Sequence, residues 1–365
     1  MKKILKYIII ILILLVGYKA GDKFLDKMYL SKFEIADYTG ETRFTTVNKG
    51  ISKKFKKSDE AILVNTDYLQ QGISIAPYAY LRNVPVFYVE KNRILPPTYE
   101  EMEKLGVKKV ILVGGVNYLS NAIERSLDRN GYKYERMIDS KGINLSVDIA
   151  ERMNRIKKVK EIAVVTDDEM DLPNGISFLP YADKHNIPVF VTNNDEYDVS
   201  KIENFVNKNG IKKVYLIGND NYYNNNIKKV LPNVERISGK DRYDVNKKII
   251  NRFYGDSKNK TVYISKGGEL MHKRHIAVGQ LINALSVTSL AADDDAPIMY
   301  VEESYFNSDE GKLIKEKDYK KVNVVGFKLE RRNFFNVERF KNFTTVAMMI
   351  IVIVMSVRIV KYKVE

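Results

Sequence analysis

The same ordered set of short motifs occurs three times in this chain, about 100 residues apart, and that recurrence restricts the fold more than any single residue does. Asn83-Val84-Pro85-Val86-Phe87 returns as Asn186-Ile187-Pro188-Val189-Phe190 and again as Asp295-Ala296-Pro297-Ile298-Met299. At 29, 30 and 29 residues beyond these prolines an apolar run ends in glycine: Val110 to Gly114, Val214 to Gly218 and Val322 to Gly326. Gly72-Ile73-Ser74 with Pro77-Tyr78-Ala79 recurs 103 positions later as Gly175-Ile176-Ser177 with Pro180-Tyr181-Ala182. A period this long is too large for the stacked turns of a solenoid, so each copy reads as a small domain with its own core.

Within a copy, short apolar runs alternate with longer amphipathic stretches. In the second copy the pattern predicts a strand over Ile162 to Val165, a helix over Gly175 to His185, and a strand over Pro188 to Thr192. A helix over Ser200 to Asn209, closed by Gly210, and a strand over Val214 to Ile217 follow. Continuous apolar strands separated by helices imply an α/β fold with a parallel sheet covered on both faces. Each copy is therefore expected to be a Rossmann-like or flavodoxin-like repeat. Its ligands would sit beyond the carboxyl ends of the strands, in loops that start at Asn65, Gly114, Thr166, Gly218, Ser265 and Gly326.

The formal charge of +14 raises the question of a nucleic-acid partner, and its distribution argues against one. Residues 1–30 carry +4 and residues 331–365 carry +5, leaving +5 for the 300 residues between them. The terminal charges flank apolar runs instead. Tyr7 to Val16 is one tyrosine followed by nine Ile, Leu and Val residues, with Lys2, Lys3 and Lys6 before it. Thr344 to Val357 is uncharged, and Lys361 and Lys363 follow. We read residues 1–20 as an uncleaved signal anchor and 344–360 as a second transmembrane helix, with a lipid bilayer as partner. The positive-inside rule then puts both termini in the cytoplasm and residues 25–340 outside, although Arg331, Arg332, Arg339 and Lys341 lie on the outer side.

Val234-Glu235-Arg236-Ile237-Ser238-Gly239-Lys240-Asp241-Arg242-Tyr243, after Val214 to Gly218, resembles the closing signature of the cell wall-binding repeat 2 family. Thr39-Gly40-Glu41-Thr42-Arg43-Phe44 is similar, and Met137 to Asn144 is a middle version that keeps neither the Arg nor the Tyr. The resemblance implies repeats at 33–137, 138–236 and 237–330, packed in a pseudo-threefold arrangement. It also implies a non-catalytic role: holding an anionic cell-wall polymer, teichoic-acid-like or another wall polysaccharide. Its helix-start positions fall on Gln71, Asn174 and Asn283, which with Arg43, Arg242 and Tyr243 form the expected polymer-binding set. The second copy's acidic loop, Asp167, Asp168, Glu169 and Asp171, is a poor seat for a polyanion. The third copy stops after Gly326, one helix and one strand short, so Phe33 to Ala36 is expected to supply its missing strand and close the ring.

Arg43 and Arg242 each open a helix after a glycine turn, where an anion can be received; equally, each can pair with a neighbouring repeat's carboxylate and orient the repeats. Tyr222 and Tyr223 can stack on sugars. Gly114-Gly115 and Gly267-Gly268 read as tight turns, since neither lies in a phosphate-loop frame. Asp293-Asp294-Asp295 reads as a solvated turn, and His272 with His275 lacks a third metal ligand. The chain has no Cys, which excludes thiolate chemistry, and neither a nucleophile elbow nor an H-E-x-x-H run appears. No catalytic residue, metal or cofactor is expected. Two alternatives stay open: an enzyme of wall-polymer metabolism built around the Lys266 to Ile276 insert, and an ectodomain that docks envelope proteins.

Overall fold

The computed structural model describes residues 24–138, 142–219, 230–255, 257–268 and 277–331, with Gly21 and Ile227. Both apolar terminal segments lie outside them, as do His272, His275, Tyr222, Tyr223 and most of the insert after Lys266. Among the described residues no helix is long and apolar enough to cross a membrane.

The described residues build three four-stranded parallel sheets of one topology. The first holds β2 (Glu60–Asn65), β3 (Val86–Val89), β4 (Lys109–Val113) and β5 (Lys133–Ile138), in the order β3-β2-β4-β5. The second holds β6 (Glu161–Thr166), β7 (Val189–Thr192), β8 (Lys213–Ile217) and β9 (Val234–Ile237), in the order β7-β6-β8-β9. The third repeats the pattern with β10 (Thr261–Lys266), β11 (Ile298–Val301) and β12 (Lys321–Val325), and its last place is taken by β1 (Glu34–Asp37) from the other end of the chain. Glu34 pairs with Lys321 and Asp37 with Val324 in parallel register, so the N-terminal strand completes the third sheet as expected. This strand order is that of flavodoxin-like folds, with the switch point between the first and third strands of each sheet.

The recurring Asn-x-Pro motif has one structural job. Asn83 and Asn186 close helices α2 (Leu69–Arg82) and α6 (Leu172–His185) in the left-handed conformation, at φ 53° and 57°. Asp295 takes the same place at φ 50° after α10 (Thr288–Asp293). Asn and Asp tolerate that conformation better than other side chains with a Cβ. The next residue donates back into the helix each time, Val84 to Ala79, Ile187 to Ala182 and Ala296 to Ala291. The proline carbonyl then accepts from the neighbouring strand, from Ile62, Ala163 and Tyr263 respectively. The triple-Asp turn is thus a helix-to-strand turn, exposed at Asp293 and Asp295 as expected, and each of its carboxylates also has a partner. Asp293 pairs with Lys54, Asp294 accepts from the Tyr263 hydroxyl, and Asp295 pairs with Lys184.

Other helices among the described residues are α1 (Arg43–Lys54), α3 (Pro96–Leu105), α4 (Asn121–Arg129), α5 (Ile143–Ile156), α7 (Glu196–Asn209), α8 (Arg242–Tyr254), α9 (Val278–Leu285) and α11 (Ser308–Glu316). Each sheet's lateral strand is covered by the helix that opens its copy: α1 on β3, α5 on β7 and α8 on β11. Asn246 on α8 satisfies the open edge of β11, donating to the Ile298 carbonyl at 2.8 Å and accepting from Tyr300 N–H at 3.0 Å. Helices α2, α6 and α10, one from each copy, touch one another pairwise. One apolar core therefore runs through all three copies, from Ile62 and Phe87 through Ile162 and Phe190 to Tyr263 and Ile298. A second core lies on the outer face of the third sheet, around Val262, Ile264, Val322 and Val324, and packs Leu30 and Phe33 against it. Asp26 and Arg331 meet there at 3.4 Å, so the two ends of the described chain converge.

Candidate functional site

At the carboxyl edge of each sheet, the glycine that ends the third strand is pressed by a polar side chain from the helix after the first strand. A Cβ on Gly114 would stand 2.7 Å from Gln71 Nε2. On Gly218 it would overlap the Asp171 carboxylate, and on Gly326 the Asn283 amide. All three glycines have positive φ, 85°, 131° and 78°, so both backbone and space exclude a side chain. Gln71 and Asn174 are each 3 % exposed. Both polar atoms of the Gln71 amide lack a hydrogen-bond partner, as do Oδ1 of Asn174 and Oδ1 of Asn283.

The acidic loop of the second copy is partly a latch of this kind. Asp171 is 1 % exposed and accepts from Thr166 Oγ1 at 2.9 Å, Asn219 N–H at 3.0 Å and the Asn174 amide. Burial raises its pKa even though those three donors pull it down. Its oxygens are committed to the fold, whereas Asp167 in the same loop is exposed and lines a cleft.

Onto each sheet edge comes the amino end of the next copy's first helix. Residues Gly142 to Leu145 of α5 face Tyr68, Gln71 and Tyr118 across a cleft of about 460 Å³. Residues Gly239 to Tyr243 at the start of α8 face Met170, Asn174 and Asn219 across one of about 290 Å³. A third cleft of about 450 Å³ opens on the other side of Tyr243, toward Asn307 and Glu310. Burial pushes Glu310 up to about 7, despite backbone donors from Glu302 and Asn307. The start of α1 meets the third sheet in the same way, Thr39 Oγ1 donating to the Phe327 carbonyl at 2.9 Å.

The six expected residues are thus divided among three junctions rather than gathered in one site. Gln71 belongs to the first, Asn174, Arg242 and Tyr243 to the second, and Arg43 and Asn283 to the third. Both arginines have partners close by in the fold. Arg242 is 6 % exposed, donates to the Gly267 carbonyl at 2.6 Å and reaches Met170 Sδ at 3.7 Å. Arg43 donates to Thr66 Oγ1 at 3.4 Å and lies 5.0 Å from the Phe44 ring. Each arginine holds the loop after its own sheet's first strand, not a neighbour's carboxylate. Ile143, buried at 2 %, fills the matching position of the middle copy.

Spacing did not single out the residues that make the first cleft chemically distinct. Tyr68 and Tyr118 meet edge to face at 4.5 Å, and Tyr197 donates to Asn144 Oδ1 at 3.2 Å. Asp195 caps α7 through Asp198 N–H, and Asp198 accepts from Thr192 Oγ1 and Asn193 N–H. Only the surplus of tyrosines, 24 in the chain, hinted at them. Among the described residues no cluster of His, Asp and Glu is arranged to hold a metal ion.

The family model for cell wall binding domain 2 (CWB2) matches residues 38–124 and 236–328. The chain is 25 % identical over 230 residues to the N-acetylmuramoyl-L-alanine amidase LytC of Bacillus subtilis, covering 62 % of this chain and 44 % of that protein. It is 26 % identical over 220 residues to the amidase enhancer of the same organism, covering 58 % and 29 %. The chain therefore spans less than half the length of either relative. Its fold is similar to Cwp8 from Clostridium difficile, with TM-score 0.70, 24 % identity and coverage of 81 % of this chain and 50 % of that one. Cwp6 from the same organism gives TM-score 0.72 and 20 % identity, with coverage of 82 % and 46 %.

Proposed function

Because the chain belongs to the cell wall binding domain 2 family through its first and third repeats, we propose that it holds a cell-wall polymer non-covalently and performs no chemistry on it. The recurrence of one junction, a polar floor beside a strand-ending glycine met by the next copy's helix start, carries this reading. In this reading the three copies stand in a pseudo-threefold ring, which the pairwise packing of α2, α6 and α10 supports. A long polymer gains from several weak contacts held at fixed spacing, since each further contact is made at high effective concentration.

Anionic stretches of the polymer belong at the third junction. The start of α1 has a neutral cap, Thr42, and no acidic residue in its first turn, while Arg43 is half-buried and its Nε has no hydrogen-bond partner. The start of α8 is already occupied by acids, Asp241 as cap and Asp244 in the first turn, and Arg242 is enclosed. The apolar runs at Tyr7–Val16 and Thr344–Val357 would tether the repeats to the membrane on its wall side. The convergence of Asp26 and Arg331 supports two anchors entering one bilayer.

The test is co-sedimentation of the detergent-purified full chain with Gram-positive cell walls, before and after acid extraction of their anionic polymers, across a salt series. Binding should fall after extraction and with salt, and Arg43→Ala should weaken it several-fold. Absence of binding under every condition would sink the wall reading. Binding indifferent to extraction and salt would remove only the anionic part.

A further inference from the structure

The cleft of about 460 Å³ between the first and second copies has a chemistry opposite to that of an anion site. Three carboxylates line it, Asp167, Asp195 and Asp198, and among the described residues no Lys or Arg does. This stands out in a chain of formal charge +14. Tyrosines occupy both walls, Tyr68 and Tyr118 from the first copy and Tyr197 from α7 of the second, with Tyr68 37 % and Tyr197 53 % exposed. Gln71 lines the same cleft while 97 % buried, and neither end of its amide has a partner. A buried amide without partners is costly unless a ligand group supplies them.

Tyrosine faces receive the C–H face of a pyranose ring, amides and carboxylates receive its hydroxyls, and a cluster of carboxylates favours a positively charged group. We propose that this cleft binds a saccharide unit carrying a free amine, stacked on the tyrosines with its ammonium group facing Asp167 and Asp195. Asp167 is the carboxylate with most to gain. It is raised above the usual carboxylate range by partial burial and by the neighbouring Asp198, Asp168 and Asp195, and an ammonium group would relieve that repulsion. Asp195 is held below that range by the Asp198 N–H and the Asn193 amide, so it carries full negative charge at neutral pH. The site deepens the wall-polymer reading by naming an uncharged-to-cationic segment of the polymer, and its test separates the two.

Calorimetric titration of the full chain would use three probes: a β-1,4-linked glucosamine tetramer, its fully N-acetylated counterpart, and inorganic polyphosphate as a polyanion. The free-amine tetramer should bind at least tenfold more tightly than the acetylated one, with polyphosphate failing to displace it. Asp167→Asn and Tyr197→Ala change exposed side chains that the core does not need, and each should weaken the tetramer at least tenfold without moving the melting temperature. Equal affinity for the two tetramers, absence of binding, or unchanged affinity in both variants would overturn the proposal. Walls that still co-sediment in that event leave the wider reading standing. Tetramer binding without wall binding would support the cleft and remove the wall.

Discussion

Gly218 shows how much a single position carries in this fold. Its φ of 131° is open to glycine alone, and a Cβ would overlap the Asp171 carboxylate that ties Thr166, Asn174 and Asn219 together. Gly210 in the same copy also has positive φ, 65°, but a Cβ there would meet nothing within 4 Å. Gly210→Ala should therefore cost only the left-handed penalty, about 1–2 kcal/mol. Gly218→Ala should add the displacement of Asp171 and exceed it by at least about 1 kcal/mol. Denaturant midpoints of the two variants measure the difference, and equal midpoints would mean that Asp171 moves aside freely. The sequence displayed all three strand-ending glycines, because a glycine at fixed spacing is visible in a string of letters. What presses on each glycine changes from Gln to Asp to Asn, so the contact itself left no common letter. Arg242 and Arg43 were legible as helix-opening cations, but a backbone carbonyl and a threonine hydroxyl as their partners have no sequence signature.

At the scale of elements, β1 is the clearest dependency. It is the only strand that its sheet borrows from the far end of the chain, and without it β12 would expose an unpaired edge. Phe33 also packs on Phe306 at 6.1 Å, and Tyr38 on Tyr263 at 5.9 Å, so the segment carries core contacts as well as ladder bonds. Deleting residues 31–38 should open the third sheet while sparing the first and second. Limited proteolysis read by mass spectrometry should then cut within 257–331 and leave 60–138 protected. An unchanged cleavage map would mean that β1 decorates the sheet without holding it. The borrowed strand was legible because the third copy visibly lacked its last unit, and topology rules leave few places for a missing parallel strand. Helix starts were less legible. The helix expected from Gly175 begins at Leu172, and the one expected from Ser200 begins at Glu196, because Pro173 at a first-turn position and the Asp195 cap extend each one upstream of its apolar stripe.

The molecule as a whole turns on one buried carboxylate. Asp183 on α6 is 3 % exposed, and groups from both other copies face it. Lys54 of α1, Tyr80 of α2 and Tyr88 of β3 come from the first copy, and Tyr254, Thr288 and Asp293 from the third. Lys54 binds Asp293 at 2.5 Å and lies 4.5 Å from the Tyr80 ring, so its charge is largely spoken for. Burial therefore prevails and holds the Asp183 pKa well above the usual carboxylate range, with Lys54 the main opposing influence. In the helical pattern Asp183 stands beside Lys184 and looks like part of a solvated face; only packing between copies buries it. The sign of the linkage follows from the raised value. Unfolded, the group ionises near pH 4, while the folded protein keeps the proton to higher pH. Its stabilising contribution is complete below pH 4 and is lost as pH rises through the folded value, at up to about 1.4 kcal/mol per pH unit. Asp183→Asn keeps the shape and removes the proton. Melting temperatures at pH 5 and pH 8 should show the wild-type chain losing stability between them and the variant losing less, so that the variant's advantage grows with pH. Parallel losses in the two proteins would assign the slope to another group. A flattened slope would mean that the charge state of one aspartate governs how firmly the three copies hold together, and with them the geometry of the clefts between copies.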